Sequence, residues 1–167
     1  LQTYDVSTVR GNHDRWLLEN KVRHLADAHG QDDLEDASLA YLNSLPSAIE
    51  LETLAGRLLL CHGIGKNDLQ KIWPGSTRMP MIQSPALDRL IDGGRYRYVI
   101  NGHMHFRTMI HFDAMTLINA GTLKGEQWPG FMLIDFATEN ITSFKFGSAE
   151  ASSQIEIARH MSILPEP

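Results

Sequence analysis

Short apolar runs alternate with stretches whose apolar positions recur every three or four residues, so the chain is predicted to mix strands and helices. Residues 6–10 are rich in β-branched side chains, and residues 96–100 form a nearly continuous apolar run. Both patterns are typical of short strands. Helices are predicted at residues 16–28, 32–45 and 84–91. Further strands are predicted at residues 48–51, 57–61, 106–112, 115–118, 130–136 and 141–146, with a short helix or strand at 155–161.

Turn-forming residues separate these helices and strands, but they do not divide the chain into separate domains. No internal repeat is present, and no linker is long enough to split the chain into two domains. We therefore expect a single α/β domain over residues 1–167, with a tail that begins at Gly147.

Polar side chains follow four of the predicted strands at the point where each strand ends. In open sheets flanked by helices, functional groups gather at the carboxyl ends of strands, so we expect these clusters to meet. Asn and His suit an N/O-ligand site for ions such as Mn, Fe or Zn, rather than a thiolate site. The clusters are Asn12-His13-Asp14, His62, the pair His103 and His105, and residues 119–122.

The composition narrows the function classes. The 167 residues are 43% hydrophobic and carry a net charge of −5, an ordinary balance for a globular protein. The acidic balance argues against broad binding of nucleic acid or anionic lipid, although a metal site can supply local positive charge for a phosphorylated substrate. Cys61 is the single cysteine, so no intrachain disulfide can form, which suits a reducing compartment. Neither a membrane-spanning run nor a signal pattern is visible, so a cytoplasmic location without membrane attachment is expected.

Several charged and aromatic loop residues have two interpretations. Lys66, Lys71 and Arg78 could contact a substrate phosphate or could be ordinary solvated charges. Trp73 and Trp128 could line a cleft, but an aromatic residue in a loop more often packs. These loops contain no motif that identifies a substrate, so the substrate-binding residues stay unassigned.

The polar clusters, taken in order, resemble the motifs of the calcineurin-like metallophosphoesterases, and most nearly those of the compact bacterial and archaeal phosphodiesterases. The resemblance covers residues 5–146 and rests on Gly-Asn-His-Asp at 11–14, His-Gly at 62–63, Gly-His-x-His at 102–105 and Asn-x-Gly-Thr at 119–122. It implies a two-sheet β-sandwich flanked by helices and two divalent metal ions, which could be Mn, Fe, Zn, Ni or Co.

The resemblance also implies a role for each residue that matches a family motif. Asn12, His62 and His103 would be ligands of one metal ion, and His105 a ligand of the other. His13 would be the catalytic histidine that assists the phosphoryl group or the leaving oxygen. Asp14 would be the carboxylate that orients His13 and fixes its tautomer.

Two family motifs have no counterpart ahead of Gly11. These are the Asp-x-His motif and the Gly-Asp-x-x-Asp motif, which supply the remaining ligands and the carboxylate that bridges both metals. We therefore expect the chain to lack the first strands of the fold and to retain little of one metal site. Missing strands would expose a sheet edge, through which a homo-oligomer could form.

The expected function is metal-dependent hydrolysis of a phosphate mono- or diester, in which a metal-bound hydroxide attacks phosphorus and His13 assists the leaving group. The substrate would be a small phosphate ester. The rival interpretation is a catalytically inactive or fragmentary binding or scaffold module on the same fold, because fold alone does not determine function. Retention of the Asn12-His13-Asp14 set favours the enzyme, since a scaffold has no physical need for it.

Overall fold

A computed structural model describes residues 2–21, 28–74, 84–125, 127–147 and 155–164 of the chain. Within these residues the strands form a five-stranded sheet of order β1-β2-β3-β5-β4 and a three-stranded sheet of order β6-β7-β8. The elements are α1 Asn12–Leu18, α2 Asp36–Ser44, β1 Ala48–Thr53, β2 Gly56–Cys61, α3 Pro85–Asp92, β3 Tyr98–Asn101, β4 Arg107–Phe112, β5 Met115–Ala120, β6 Gly130–Asp135, β7 Asn140–Phe146 and β8 Ile155–Ser162.

The direction of the strands in the larger sheet determines where polar groups collect. Strands β1 and β2 form an antiparallel hairpin, as do β4 and β5, whereas β2, β3 and β5 run parallel to one another. Parallel strands end at the same edge of a sheet, so the residues after Cys61, Asn101 and Ala120 lie side by side. This arrangement confirms the α/β class and brings together three of the four strand ends that were expected to meet.

Two apolar cores hold the layers together. The first lies between the sheets, where Leu58, Tyr98 and Ile118 of the larger sheet face Ile141 of β7. The second lies on the opposite face of the larger sheet, where Val99 and its neighbours pack against α3. The prediction of two sheets packed face to face with a helix outside is therefore confirmed.

The sequence signals at α3 were also correct. Ser84 is buried, and its hydroxyl accepts a hydrogen bond from the backbone N–H of Leu87 at 3.2 Å. Pro85 occupies the first helical position, where its missing N–H is not needed. This cap fixes the helix that covers the outer face of the larger sheet.

The strand predicted at residues 6–10 was wrong. This segment pairs with no strand among the described residues, although the N–H of Arg10 donates to the carbonyl of Pro46 at 2.8 Å. A β-branched run becomes a strand only where it forms ladder hydrogen bonds with a neighbouring strand, and residues 6–10 have no such partner in the described part of the chain.

The first helix differs from its predicted bounds of residues 16–28. It begins at Asn12, because the Asp14 carboxylate accepts the N–H of Gly11 at 2.7 Å and so stabilises the helix start. It ends at Leu18, where a turn follows with Asn20 at a φ of +54°. Residues 22–27 of the predicted helix lie outside the described residues.

Later segments agree more closely with the sequence patterns. The second helix begins at Asp36 instead of at residue 32, after a short 3-10 turn at Gln31–Asp33. Residues 64–74 form a loop as expected, and 75–83 lie outside the described residues. The segment that could be a helix or a strand is the strand β8, which pairs antiparallel with β7.

Candidate functional site

The side-chain oxygen of Asn12 is the point where three separate elements meet. Its Oδ1 lies 2.8 Å from Nε2 of His62 and 3.1 Å from Nδ1 of His103. Asn12 begins α1 and is only 2% exposed, while the two histidines follow β2 and β3. The structure therefore brings together the three residues that the sequence resemblance assigned to one metal ion.

Close packing against Gly11 keeps the His62 ring beside Asn12. A Cβ at Gly11 would lie 3.0 Å from both Cε1 and Nδ1 of that ring, so a larger residue would push the imidazole away. A hydrogen bond joins the turn after His62 to β3, because the side-chain amide of Asn101 donates to the carbonyl of Gly63 at 2.9 Å. The Oδ1 atom of Asn101 is buried and has no hydrogen-bond partner among the described residues.

The loop after β3 holds its two histidines in an uncommon backbone conformation. His103 has a φ of +64° and His105 a φ of +61°, both in the left-handed region that non-glycine residues rarely adopt. Each such residue costs about 1–3 kcal/mol and persists only where surrounding contacts impose it. Here the N–H of Gly102 donates to the carbonyl of His62 at 3.0 Å, and the Asn119 amide donates to the carbonyl of Gly102. Strained backbone of this kind is typical of functional sites.

His105 lies near Asn12, His62 and His103, which we call the Asn12 group, but its ring contacts a different residue. Its Nδ1 lies within hydrogen-bonding distance of Oε1 of Gln127, an amide oxygen that accepts from the Nδ1–H tautomer. In that tautomer the lone pair lies on Nε2, the nitrogen that a metal ion would use. Gln127 was missed by the sequence analysis, and no motif in the sequence marks it.

The structure places His13 and Asp14 in the first turn of α1, directly after Asn12. The His13 ring packs edge-on against Trp16 with the ring centroids 5.1 Å apart. The Asp14 carboxylate bonds to the N–H of Gly11, and no hydrogen bond joins Asp14 to His13 within the described residues. The proposed orienting role of Asp14 therefore stays a prediction.

Electrostatics keep the two central histidines neutral. Burial lowers the pKa of His62, and the neighbouring charges of His13 and His105 lower it further, against the opposing effect of Asp14 and Asp68. Burial also lowers the pKa of His103, helped by the charges of His62 and Lys71. Neutral imidazoles have a lone pair to offer, so these shifts favour metal ligation.

Cys61 has the properties of a core residue rather than a nucleophile. It is a free cysteine that is only 1% exposed. Burial raises the pKa of its thiol to about 11. A reactive cysteine needs a lowered pKa, so this side chain contributes packing to the outer core.

A bidentate ion pair fastens α1 to the loop after His62, and the sequence analysis missed it. Nε of Arg15 lies 2.7 Å from Oδ2 of Asp68, and Nη2 lies 3.1 Å from Oδ1. The pair joins residues 53 positions apart in the chain, and the side chain of Asp68 is only 18% exposed. Arg15 lowers the pKa of the Asp68 carboxyl, chiefly through this hydrogen bond.

The donor set of Asn12, His62 and His103 fits a divalent transition metal. Ligand atoms at about 2.1 Å from one ion and at right angles lie about 3.0 Å apart, and the observed separations are 2.8 and 3.1 Å. The described residues contain no group of three or more His, Cys, Asp or Glu that could hold a metal, so the amide oxygen of Asn12 is essential to the set. One amide and two neutral imidazoles carry no charge, so a bound ion would keep its positive charge.

Comparison with protein families identifies the fold group. The sequence model of the calcineurin-like phosphoesterase superfamily domain matches residues 1–139. The chain belongs to the calcineurin-like phosphoesterase superfamily. No curated protein matches the sequence significantly. The described part of this superfamily member also has no helix that is long and apolar enough to cross a membrane.

One solved structure shows the same fold at low sequence identity, and two others are similar with lower TM-scores. The hypothetical protein PH1004 from Pyrococcus horikoshii is 12% identical with a TM-score of 0.64, over 86% of this chain and 64% of that chain. An archaeal phosphodiesterase is 20% identical with a TM-score of 0.46, over 71% and 66%. Vps29 from Entamoeba histolytica, complexed with zinc, is 14% identical with a TM-score of 0.48, over 72% and 63%. The chain thus spans slightly less than two thirds of PH1004 and of this Vps29.

Proposed function

We propose that this superfamily member hydrolyses phosphate mono- or diesters with the help of a divalent metal ion held by Asn12, His62 and His103. The observation that carries the proposal is the convergence of one amide oxygen and two neutral imidazole nitrogens within 3.1 Å, from three elements. A bound divalent ion supplies Lewis-acid polarisation of the phosphoryl oxygens and lowers the pKa of water.

The remaining chemistry belongs to side chains of the chain itself. His13 follows Asn12 on α1, and as an imidazolium it donates its proton to the leaving oxygen of the ester. Asn12 contributes a ligand oxygen without adding negative charge, so the site stays attractive to an anionic ester. Lys71 adds a positive charge whose field reaches His103. His105 offers the lone pair of Nε2 to a second ion.

A second candidate function is supported by a different observation. No group of three or more His, Cys, Asp or Glu forms a metal site in the described part of the chain. A site without carboxylates could bind one ion and a phosphate ester without turning it over. The chain would then act as a binding module of the same superfamily.

Metal content after Mn²⁺ loading tests both candidates. We expect bound Mn²⁺ by elemental analysis and turnover of bis(4-nitrophenyl) phosphate, with both lost in His103→Ala. His29→Ala is the matched control, because its side chain is 75% exposed and its one ion pair among the described residues is with Asp33. Retention of Mn²⁺ in His103→Ala would contradict the proposed site. If the parent chain binds Mn²⁺ but does not turn over the ester, the result would favour the binding module over the enzyme.

A further inference from the structure

A cavity of about 440 Å³ lies beside His105, and neither Asn12 nor His62 lines it. Its volume lies within the range of about 300–1,000 Å³ that is usual for small-molecule sites. His105 connects the two places, since its ring lines the cavity and it follows His103 by two residues in the loop after β3. The cavity is lined by Met104, His105, Phe106, Arg107, Gln127 and Trp128.

The walls of this cavity are aromatic and accessible. Phe106 is 55% exposed and Trp128 is 81% exposed. Trp73 packs against Phe106, with the two ring centroids 5.8 Å apart. Large apolar rings normally lie inside a protein, so several exposed rings around one cavity indicate a binding surface.

Two of the lining residues are linked to His105 through one hydrogen bond. Gln127 bonds to His105 through its side chain and to the carbonyl of Lys124 through its N–H at 3.0 Å. Trp128 follows directly in the chain, with a φ of +56°.

A positively charged side chain, that of Arg107, also lines this cavity. Arg107 donates through Nη1 to the carbonyl of Phe144 at 3.3 Å. It forms no ion pair with an acidic side chain in the described parts of the chain. Its charge is therefore available to an anionic ligand, and a guanidinium also stacks on aromatic rings.

We propose that this cavity is the subsite for an aromatic group of the phosphate ester, either an aryl ring or a nucleobase. The inference rests on the proposed function, since the phosphoryl group would lie at Asn12, His62 and His103. The organic group would then extend past His105 and stack on Phe106 and Trp128. Stacking on such rings strengthens binding by about 5- to 100-fold for each aromatic group.

A pair of unreactive phosphonates separates the two ends of the ligand. Phenylphosphonate and methylphosphonate carry the same charged group and differ only in the aromatic ring. Their affinities for the Mn²⁺-loaded protein can be compared by isothermal titration calorimetry. We expect phenylphosphonate to bind about 5- to 100-fold more tightly, and this preference to disappear in Trp128→Ala and in Phe106→Ala. Leu123→Ala is the matched control, because Leu123 is 70% exposed but does not line this cavity.

The outcomes distinguish failure of the subsite from failure of the proposed function. Equal affinity for both phosphonates, with Mn²⁺ still required, would overturn the subsite and leave the proposed function standing. A preference that Trp128→Ala removes, but that persists in His103→Ala and without Mn²⁺, would establish the subsite and overturn the proposed function. A preference that Leu123→Ala also removes, or binding of neither phosphonate, would overturn the subsite.

Discussion

At the scale of single residues, Asn12 determines the geometry of the site. One amide oxygen faces two ring nitrogens, and within the described residues no carboxylate bonds to these three side chains. Under the proposed function, an aspartate in this position would add a negative charge that opposes an anionic ester, whereas the neutral amide would leave the charge of a bound divalent ion in place.

His13 is the residue whose loss should separate chemistry from metal binding. His13→Ala is expected to lower turnover of bis(4-nitrophenyl) phosphate by about 10²–10⁴-fold, the usual contribution of a positioned acid or base. Mn²⁺ content should be unchanged, because the Asn12 group does not include this side chain. Steady-state kinetics with elemental analysis measures both quantities, with His29→Ala as control. Loss of Mn²⁺ together with turnover would make His13 a structural residue or a ligand.

Residue types could be predicted from the sequence more readily than their partners. Asn12, His62 and His103 were identified because each follows a predicted strand in a family motif, and they do meet. The bond from His105 to Gln127 could not be predicted, because 22 residues separate the two and the loop conformation decides the contact. The hydrogen-bond partner of Asp14 could not be predicted either, since its carboxylate bonds to the backbone of Gly11.

At the scale of elements, the position of α1 relative to the loop after β2 controls the site. Asn12 lies on the helix and His62 on the loop, so any shift between them separates the ligand atoms. The bidentate pair of Arg15 and Asp68 spans this same boundary at 2.7 and 3.1 Å. Bidentate pairs between guanidinium and carboxylate fix orientation as well as distance. We infer that this pair positions the two ligands.

Breaking the Arg15–Asp68 pair should weaken metal binding without touching a ligand. Arg15→Ala and Asp68→Ala are each expected to lower Mn²⁺ affinity by about 10-fold, at the lower end of the effect of residues that orient metal ligands. The double variant should lose little more than either single variant, because both remove the same contact. Calorimetric titration with Mn²⁺ measures the effect.

The chain contains a matched control for this experiment. Arg57 and Glu52 form an exposed ion pair, with Nε and Oε1 2.6 Å apart, at the opposite end of β2 from His62. Arg57→Ala should leave Mn²⁺ affinity unchanged. Additive losses in the Arg15 and Asp68 variants, or an equal loss in Arg57→Ala, would show that the pair does not position the site.

Elements could be predicted where local pattern and tertiary context agree. Strands β2 and β3 followed from apolar runs because each lies inside the larger sheet, with a paired strand on both sides. Residues 6–10 have the same local character, yet they pair with no strand in the described part of the chain. Strand formation depends on available partners, which a local pattern cannot specify.

At the scale of the whole molecule, the parallel strands and the two cores place neutral histidines at one edge of the larger sheet. His62 and His103 lie where β2 and β3 end, between the buried layers and solvent. Their lowered pKa values follow mainly from this burial. The fold therefore opposes protonation of these two imidazoles.

This burial predicts that the metal-free protein loses stability as the pH falls below about 6.5, the ordinary pKa of an unfolded histidine. Because the folded pKa values of His62 and His103 are lowered, the unfolded chain binds more protons than the folded one in this range. The stabilising contribution is fully present above the unfolded pKa and is lost as the pH falls from there toward the folded pKa. Urea unfolding in EDTA at pH 7.5 and 5.5 measures the difference, above the range where carboxylates titrate. The combined variant His62→Asn/His103→Asn should show a smaller difference, while His29→Asn should behave like the parent. An equal fall in all three proteins would mean that other groups set the pH dependence.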